Sequence, residues 1–168
     1  MRGQAIPNFD LDRRAFLLCL TLAGCGFVPA LGTRGPARNL MVAVRAKDPV
    51  TQDDYDFVAR IEERLGRPTA STYDLAYSIT TTSEGVGITA SGSITRYSLA
   101  GRLTWVLSRN ADGLRMAGGT VDNFTSYSAT GSVVAGLTAK QDASRRLMRI
   151  LADQVVSGLM AHSADFAP

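Results

Sequence analysis

The sequence predicts an α/β (α+β) two-layer sandwich in which two helices pack on one face of a four-stranded mixed sheet, in the order β-α-β-β-β-α. Three patterns lead to this prediction. A capped helical pattern follows a short apolar run, a meander of alternating apolar and polar residues comes next, and a second helical pattern is last. The 168 residues suit one domain, and a formal net charge of +3 is too small to favour a nucleic-acid partner.

The first strand and the first helix are predicted early in the domain. Residues 40–44 form a short apolar run that suits a strand covered on both faces. Thr51 is a typical helix N-cap residue, Asp54 is its capping-box partner, and Gly66 marks the end of the helix. The apolar side of this helix recurs at helical spacing, with Phe57, Val58, Ile61 and Leu65.

A meander of three antiparallel strands is expected next. Apolar and polar side chains alternate over residues 73–79, which is typical of a half-buried strand. Residues 81–92 are small and polar, so we interpret them as a flexible hairpin loop. A long strand is expected over residues 97–107, where Gly101 interrupts the apolar parity and indicates a bulge. The last strand is expected over residues 114–127.

The final helix has the clearest pattern in the chain and is predicted to begin near Thr138. One side of this helix is apolar and the opposite side carries charged residues. The apolar side is therefore expected to pack on the sheet, and the charged side to face solvent. The expected packing residues are Ala143, Leu147, Ile150, Leu151, Val155 and Leu159.

The chain lacks the residue sets that common enzymes need. Its single histidine, His162, lies near the end of the last predicted helix. There is no Gly-x-Ser-x-Gly nucleophile elbow, and no paired cysteines or histidines stand at metal-ligand spacing. The sequence therefore predicts a protein that is not an enzyme, with no catalytic residue, metal or cofactor.

The first 24 residues have the layout of a bacterial lipoprotein signal peptide. Arg13 and Arg14 precede a short apolar run that is about half of the ~20 residues a membrane-spanning helix needs. The thiol of Cys25 can take a thioether-linked diacylglycerol, and an N-acyl chain is then expected on the same residue. The three residues directly before Cys25 are expected to enter the cleft of the signal peptidase, and they are Leu22, Ala23 and Gly24.

Two alternatives for this leader stay open. A short buried helix could end in a cysteine by chance, and the paired arginines also resemble a twin-arginine export signal, so the export route is either Sec or twin-arginine. Residues 1–24 are predicted to be the signal peptide and residues 25–38 a flexible tether rich in glycine and proline. Residues 39–162 then form the folded domain and residues 163–168 a C-terminal tail.

Candidate contact residues are arginines on the polar side of the meander. Arg96 and Arg102 have the parity opposite to the apolar residues of the long strand, and Arg115 follows the next turn. A basic stripe of this kind suits an anionic partner, because the guanidinium group binds phosphate and carboxylate with two parallel hydrogen bonds. The alternative is that these arginines are solvated and discourage edge-to-edge aggregation.

The whole pattern resembles the LptE family of LPS-assembly lipoproteins of the Gram-negative outer membrane. The likeness rests on the processing site with Gly26 and Phe27 after the cysteine, and on the element order β-α-β-β-β-α. Local matches add to it, and they are Arg64-Leu65-Gly66-Arg67-Pro68, Thr95-Arg96-Tyr97, Ser126-Tyr127 after the last strand, and a terminal helix from Asp142-Ala143 through Leu151-Ala152-Asp153-Gln154-Val155.

The resemblance implies a lipid-anchored protein of the outer membrane that faces the periplasm. Family members plug and help assemble the LptD β-barrel and help LPS reach the cell surface, and no catalysis is implied. Contact with LPS through basic residues is a family property, for which Arg96, Arg102 and Arg115 are the candidates here. The rival interpretation is an auxiliary lipoprotein of an ABC-type lipid transport system, which shares the leader, the size and the α/β character.

Overall fold

The computed structural model describes residues 37, 40, 42–129 and 131–166, leaving out the side chains of residues 164 and 165. The predicted signal peptide, the lipidation site Cys25 and nearly all of the predicted tether lie outside the described residues.

The predicted fold class is confirmed. The elements are β1 (Val44–Ala46), α1 (Gln52–Leu65), β2 (Tyr73–Ile88), β3 (Ile94–Arg109), β4 (Arg115–Ser128) and α2 (Val133–Ala161). A short 3₁₀ helix at Ser163–Phe166 follows α2. The strands form one four-stranded sheet of order β1-β2-β3-β4, in which β1 runs parallel to β2 and the other neighbours are antiparallel.

The capping box that the sequence predicts for α1 is present. The Asp54 N–H donates to Thr51 Oγ1 at 3.2 Å, and the Thr51 N–H donates to Asp54 Oδ2 at 2.9 Å. Partial burial opposes ionisation of the Asp54 carboxyl, but the hydrogen bonds from Thr51 and Val50 outweigh it and lower its pKa. Gly66 ends the helix with a φ of 84°, and its N–H donates to Glu62 O at 2.8 Å.

The first strand is shorter and later than predicted. Only Val44–Ala46 pairs with β2, whereas a strand was expected over residues 40–44. The Val42 N–H donates to Leu65 O at 2.7 Å, and Val42 has a φ of 62°, so the end of α1 holds this residue out of the sheet. Leu40 is nevertheless buried in the core.

The expected flexible loop over residues 81–92 is wrong, because most of it is strand. β2 continues to Ile88, and β3 begins at Ile94, so the hairpin connection is only residues 89–93. Small polar residues can continue a ladder because its hydrogen bonds join backbone groups, whatever the side chains are. Irregular pairing is confined to the steps around Gly87 near the hairpin end.

The bulge expected at Gly101 is also wrong. Gly101 pairs in regular register with Thr81 on one side and Asn123 on the other. A Cβ at this position would lie 3.0 Å from Leu147 Cδ2 and 3.1 Å from Leu151 Cδ1, so the glycine is needed where α2 approaches the sheet.

The last helix begins five residues earlier than expected, at Val133. Ser132 is its N-cap, and its Oγ accepts a hydrogen bond from the Ala135 N–H at 3.3 Å. Of the predicted packing residues, Ile150 is 36% exposed and does not belong to the core. The buried side is wider than predicted, because α1 covers part of α2, and it also includes Met148, Ala152 and Val156.

The core lies between the two helices and one face of the sheet. Phe57 of α1 packs on Tyr77 of β2, with ring centroids 4.7 Å apart. α2 packs on β3 and β4, where Gly158 leaves room for the Trp105 ring. Fully buried members from the sheet and both helices include Leu75, Leu103, Leu107, Ile61, Leu65, Leu147, Leu151, Val155 and Leu159.

Candidate partner-binding surface

Both helices lie on one face of the sheet, and no described element covers the other, which we call the outer face. Strand alternation places the even-numbered residues of β3 on it. Most side chains there are small or hydroxylated, so the surface is flat and polar. Its central members on β3 are Arg96, Ser98, Ala100, Arg102 and Thr104.

The middle of the outer face combines an ion pair with an exposed aromatic ring. Arg102 Nη2 lies 3.3 Å from Asp122 Oδ1, and their side chains are 70% and 66% exposed. Thr104 and Thr120 share a hydrogen bond of 3.2 Å across the same two strands. Phe124 is 68% exposed. A shallow depression between these groups is lined by Thr80, Thr82, Ala100, Arg102, Asp122 and Phe124.

The structure places all three candidate arginines on the outer face but does not bring them together. Arg96 lies opposite Ser128, Arg102 opposite Asp122, and Arg115 opposite Ser108 at the other end of β3. Successive arginines are therefore about 20 Å apart along the sheet, at roughly 3.3 Å per residue.

The three candidate arginines differ in whether a carboxylate offsets their positive charge. Asp122 offsets the charge of Arg102, and a Cβ on Gly118 would lie 2.5 Å from Arg115 Nη2, so the Arg115 side chain lies across that glycine. The arrangement suits several separate contacts with an extended anionic partner and not the capture of one phosphate. Contact with LPS stays a prediction.

Sequence reasoning missed an apolar surface near the hairpin connection. Val86, Ile88 and Ile94 are exposed at the hairpin, and the first turns of α2 add exposed apolar residues beside them. Tyr97 and Tyr127 stack there with centroids 5.3 Å apart. A cleft in this region, which we call the apolar end, is lined by Ile94, Tyr97, Tyr127, Val133, Leu137 and Lys140.

A signal for this surface was present in the sequence. Val133, Val134 and Leu137 precede the predicted start of the last helix near Thr138, and Val86 and Ile88 stand in the expected loop over residues 81–92. Large apolar residues in segments predicted to be solvated indicate a surface that something else covers.

His162 and Tyr77 lie outside this surface, and each has a hydrogen-bond partner in the fold. Within residues 42–129 and 131–166, no group of three His, Cys, Asp or Glu could hold a metal ion. His162 is exposed at the end of α2, and its Nδ1 lies 2.8 Å from Gly158 O. Burial raises the pKa of Tyr77 to about 12, and the nearby carboxylates of Asp54 and Asp48 add to the shift. None of the described helices is long and apolar enough to cross a membrane.

Solved structures share this fold. A Caulobacter crescentus CB15 protein described as a lipoprotein has a TM-score of 0.66 and 18% identity, over 79% of this chain and 98% of that chain. Rare lipoprotein B from Shewanella oneidensis has a TM-score of 0.58 and 8% identity, over 74% and 96%. Lipoprotein B from Nitrosomonas europaea has a TM-score of 0.54 and 11% identity, over 73% and 83%. At such identities the likeness shows the fold alone.

The family assignment comes from the sequence itself. No curated protein matches this chain. The family described as "LptE: Lipopolysaccharide-assembly" matches residues 40–159, which span the core from Leu40 to Leu159 and more than half of the chain. The chain therefore belongs to the LptE family of lipopolysaccharide-assembly proteins.

Proposed function

We propose that this chain is a non-enzymatic lipoprotein of the outer membrane that plugs an LptD-type β-barrel, assists its assembly and helps LPS reach the cell surface. The observation that carries the proposal is the family match over residues 40–159, which spans both helices almost completely and all four strands. The expected anchor is Cys25, acylated after removal of residues 1–24.

The lipid anchor accounts for the membrane location. Each buried methylene of an acyl chain contributes about 0.8 kcal/mol, and stable anchoring takes two lipid signals. A diacylglycerol and an N-acyl chain on Cys25 meet this requirement, so the domain itself needs no membrane-binding surface. Outer-membrane delivery fits Gly26, because the aspartate that typically favours inner-membrane retention is absent after the cysteine.

The outer face fits the proposed position in a barrel. The lumen wall of a large outer-membrane barrel is polar, and the outer face carries threonines, serines and the Arg102–Asp122 pair. A flat sheet face with short side chains can approach another sheet to about 10 Å. Phe124 is the one large apolar side chain in the shallow depression on this face, and we propose that it packs against the wall.

The proposed LPS contact uses the same face. LPS carries phosphate and carboxylate groups, and guanidinium groups bind both with two parallel hydrogen bonds. Arg96 and Arg115 have no acidic side-chain partner within the described residues, whereas Arg102 is paired with Asp122. We expect Arg96 and Arg115 to be available to an anionic ligand without breaking an existing ion pair.

Affinity purification of the tagged full-length protein from detergent-extracted outer membranes tests the proposal. We expect an LptD-type barrel in stoichiometric amount, and LPS bound to the pair. A Cys25→Ala variant is the matched control, because it keeps the folded domain and removes the anchor. Recovery of a periplasm-spanning lipid transporter without a barrel would contradict the proposal and favour the rival ABC-type assignment.

A further inference from the structure

The sheet has one long open edge. β4 is the last strand in the order β1-β2-β3-β4 and has 14 residues, whereas β1 at the other edge has three. The Ala129 N–H donates to Thr95 O at 2.9 Å, so odd-numbered backbone groups point toward β3. The even-numbered N–H and C=O groups of the regular part of β4 therefore point outward, because backbone groups alternate along a strand.

Little on β4 protects this edge from pairing. The strand contains no proline and no lysine, which are the residues that usually discourage pairing at edges. Two outward groups are used internally, since the Phe124 N–H donates to Asn123 Oδ1 at 2.8 Å and Ser126 O accepts from Arg146 at 3.3 Å. In the described part of the chain, no strand pairs with the outward backbone of Gly118, Thr120 and Asp122.

We propose that this edge is a self-association surface, at which β4 pairs antiparallel with β4 of a second copy of the chain. The two-fold axis passes at Val121, and the two four-stranded sheets become one continuous sheet. The proposal concerns the protein outside a barrel and does not depend on the proposed function.

The side chains of β4 favour this register. An axis at Val121 places Thr120 opposite Asp122 of the second copy, where hydroxyl and carboxylate can share a hydrogen bond. The same register places the exposed Phe124 opposite Gly118 of the second copy, where the ring can lie on the Arg115 side chain that crosses this glycine. An axis at Asp122 would instead place two carboxylates opposite each other, which is destabilising.

α2 provides a second contact above the same axis. Thr125 Oγ1 donates to Ala143 O at 3.0 Å and Arg146 reaches Ser126 O, so this side of α2 follows the β4 edge. Ile150, one turn beyond Arg146, is 36% exposed on that side. Leu147 and Leu151 flank Gly101, which pairs with Asn123, so Ile150 lies level with the middle of β4.

The antiparallel arrangement brings the two α2 helices together above the axis. Two copies of Ile150 then face each other, so each covers the exposed part of the other side chain. Backbone pairing of β4 and this apolar contact use the same two-fold axis.

Disulfide trapping tests the proposal on the full-length acylated protein in detergent. Ile150→Cys is expected to give a disulfide-linked homodimer on mild oxidation, because the two positions meet at the axis. Arg149→Cys is the matched control, since this exposed neighbour on α2 shares the micelle but points away from the edge. Equal cross-linking of the two variants, or none in either, would overturn the proposal.

A mass measurement by light scattering gives an independent readout. We expect a dimer for the wild type and for Thr120→Val, which keeps the backbone N–H of the edge, and a monomer for Thr120→Pro, which removes it. Circular dichroism checks that Thr120→Pro is folded. A wild-type protein that stays monomeric over the whole concentration series would refute the inference, as would a Thr120→Pro variant that is folded and dimeric.

Discussion

Arg60 of α1 binds Asp153 of α2 through two parallel hydrogen bonds, with Nε–Oδ1 at 3.0 Å and Nη2–Oδ2 at 2.9 Å. Glu63 lies 2.9 Å from Arg60 Nη1 and adds to the same network. These hydrogen bonds, first of all those to Asp153, raise the pKa of the Arg60 guanidinium above its ordinary value. This pair therefore joins the two helices across 93 residues of sequence.

We expect Asp153→Asn to lower the urea concentration at the midpoint of unfolding, because it removes the negative charge that the Arg60 guanidinium binds. Asp122→Asn is the control, since the Arg102–Asp122 pair is more exposed and has one bond, and exposed pairs contribute little to stability. A double-mutant cycle with Arg60→Gln measures the coupling. A coupling energy between Arg60 and Asp153 that is no larger than the coupling energy between Arg102 and Asp122 would contradict the prediction that the Arg60–Asp153 pair stabilises the contact between the two helices.

Gly101→Ala should destabilise the domain by about 1–3 kcal/mol, since the new Cβ would lie only 3.0 Å from Leu147 and overpack the contact between α2 and β3. Gly136→Ala is the matched control. No atom lies within 4 Å of a Cβ there, and the site is in α2, so this change should stabilise the helix by about 0.5–1 kcal/mol. Urea unfolding of both variants measures the two shifts, and equal shifts would show that packing at Gly101 is not the constraint.

Local signals in the sequence were sufficient for part of the fold. The cap of α1 depends on Thr51 and Asp54, which are three residues apart in the sequence, so it can be predicted without knowledge of the tertiary contacts. Gly101 was misread because the helix that requires it comes about 46 to 50 residues later, and no local pattern shows which element approaches a glycine. The polar residues of the β2–β3 hairpin were misread because ladder bonding does not depend on side-chain type.

The candidate surface, like the fold, was only partly predictable from the sequence. Period-two parity was enough to predict that Arg96 and Arg102 share one side of the strand, where the structure places them. The partner of Arg102 was not predictable, because Asp122 becomes its neighbour only through the register between β3 and β4. The exposure of apolar residues at the apolar end depends on where the first turns of α2 lie relative to the β2–β3 hairpin, which is a property of the packed domain.

Alkaline pH should unfold the protein partly through Tyr77. Its pKa is raised from 10.0 to about 12, chiefly by burial, so the folded state keeps the proton more tightly than the unfolded state. The stabilisation is complete below pH 10 and is lost as the pH rises toward 12. Tyr77→Phe should flatten the fall in stability over this interval, measured by urea unfolding at a series of pH values. A wild-type curve with the same slope as the variant would contradict this assignment.

Cys25→Ala should abolish acylation, because no other side chain at the processing site can form the thioether to diacylglycerol. Incorporation of labelled fatty acid in growing cells measures the effect directly. Cys19→Ala is the control, since this residue lies within the predicted signal peptide and should leave labelling unchanged. Undiminished labelling of Cys25→Ala would refute the lipidation site.

The double variant Arg96→Glu with Arg102→Glu should weaken binding to LPS and to the barrel, since both residues lie on the outer face and the change reverses their charge. Its thermal stability should stay within about 1 kcal/mol of wild type, because exposed strand charges contribute little to folding. The matched control is Arg145→Glu with Arg149→Glu, which makes the same charge change on the exposed side of α2.

Binding of purified protein to immobilised LPS, measured at two salt concentrations, separates a specific site from bulk charge. A site on the outer face predicts a larger loss for the strand variant than for the helix variant, and a weaker salt dependence of the binding that remains. Equal losses in both variants would mean that net charge, and not the position of Arg96 and Arg102 on the sheet, determines the affinity.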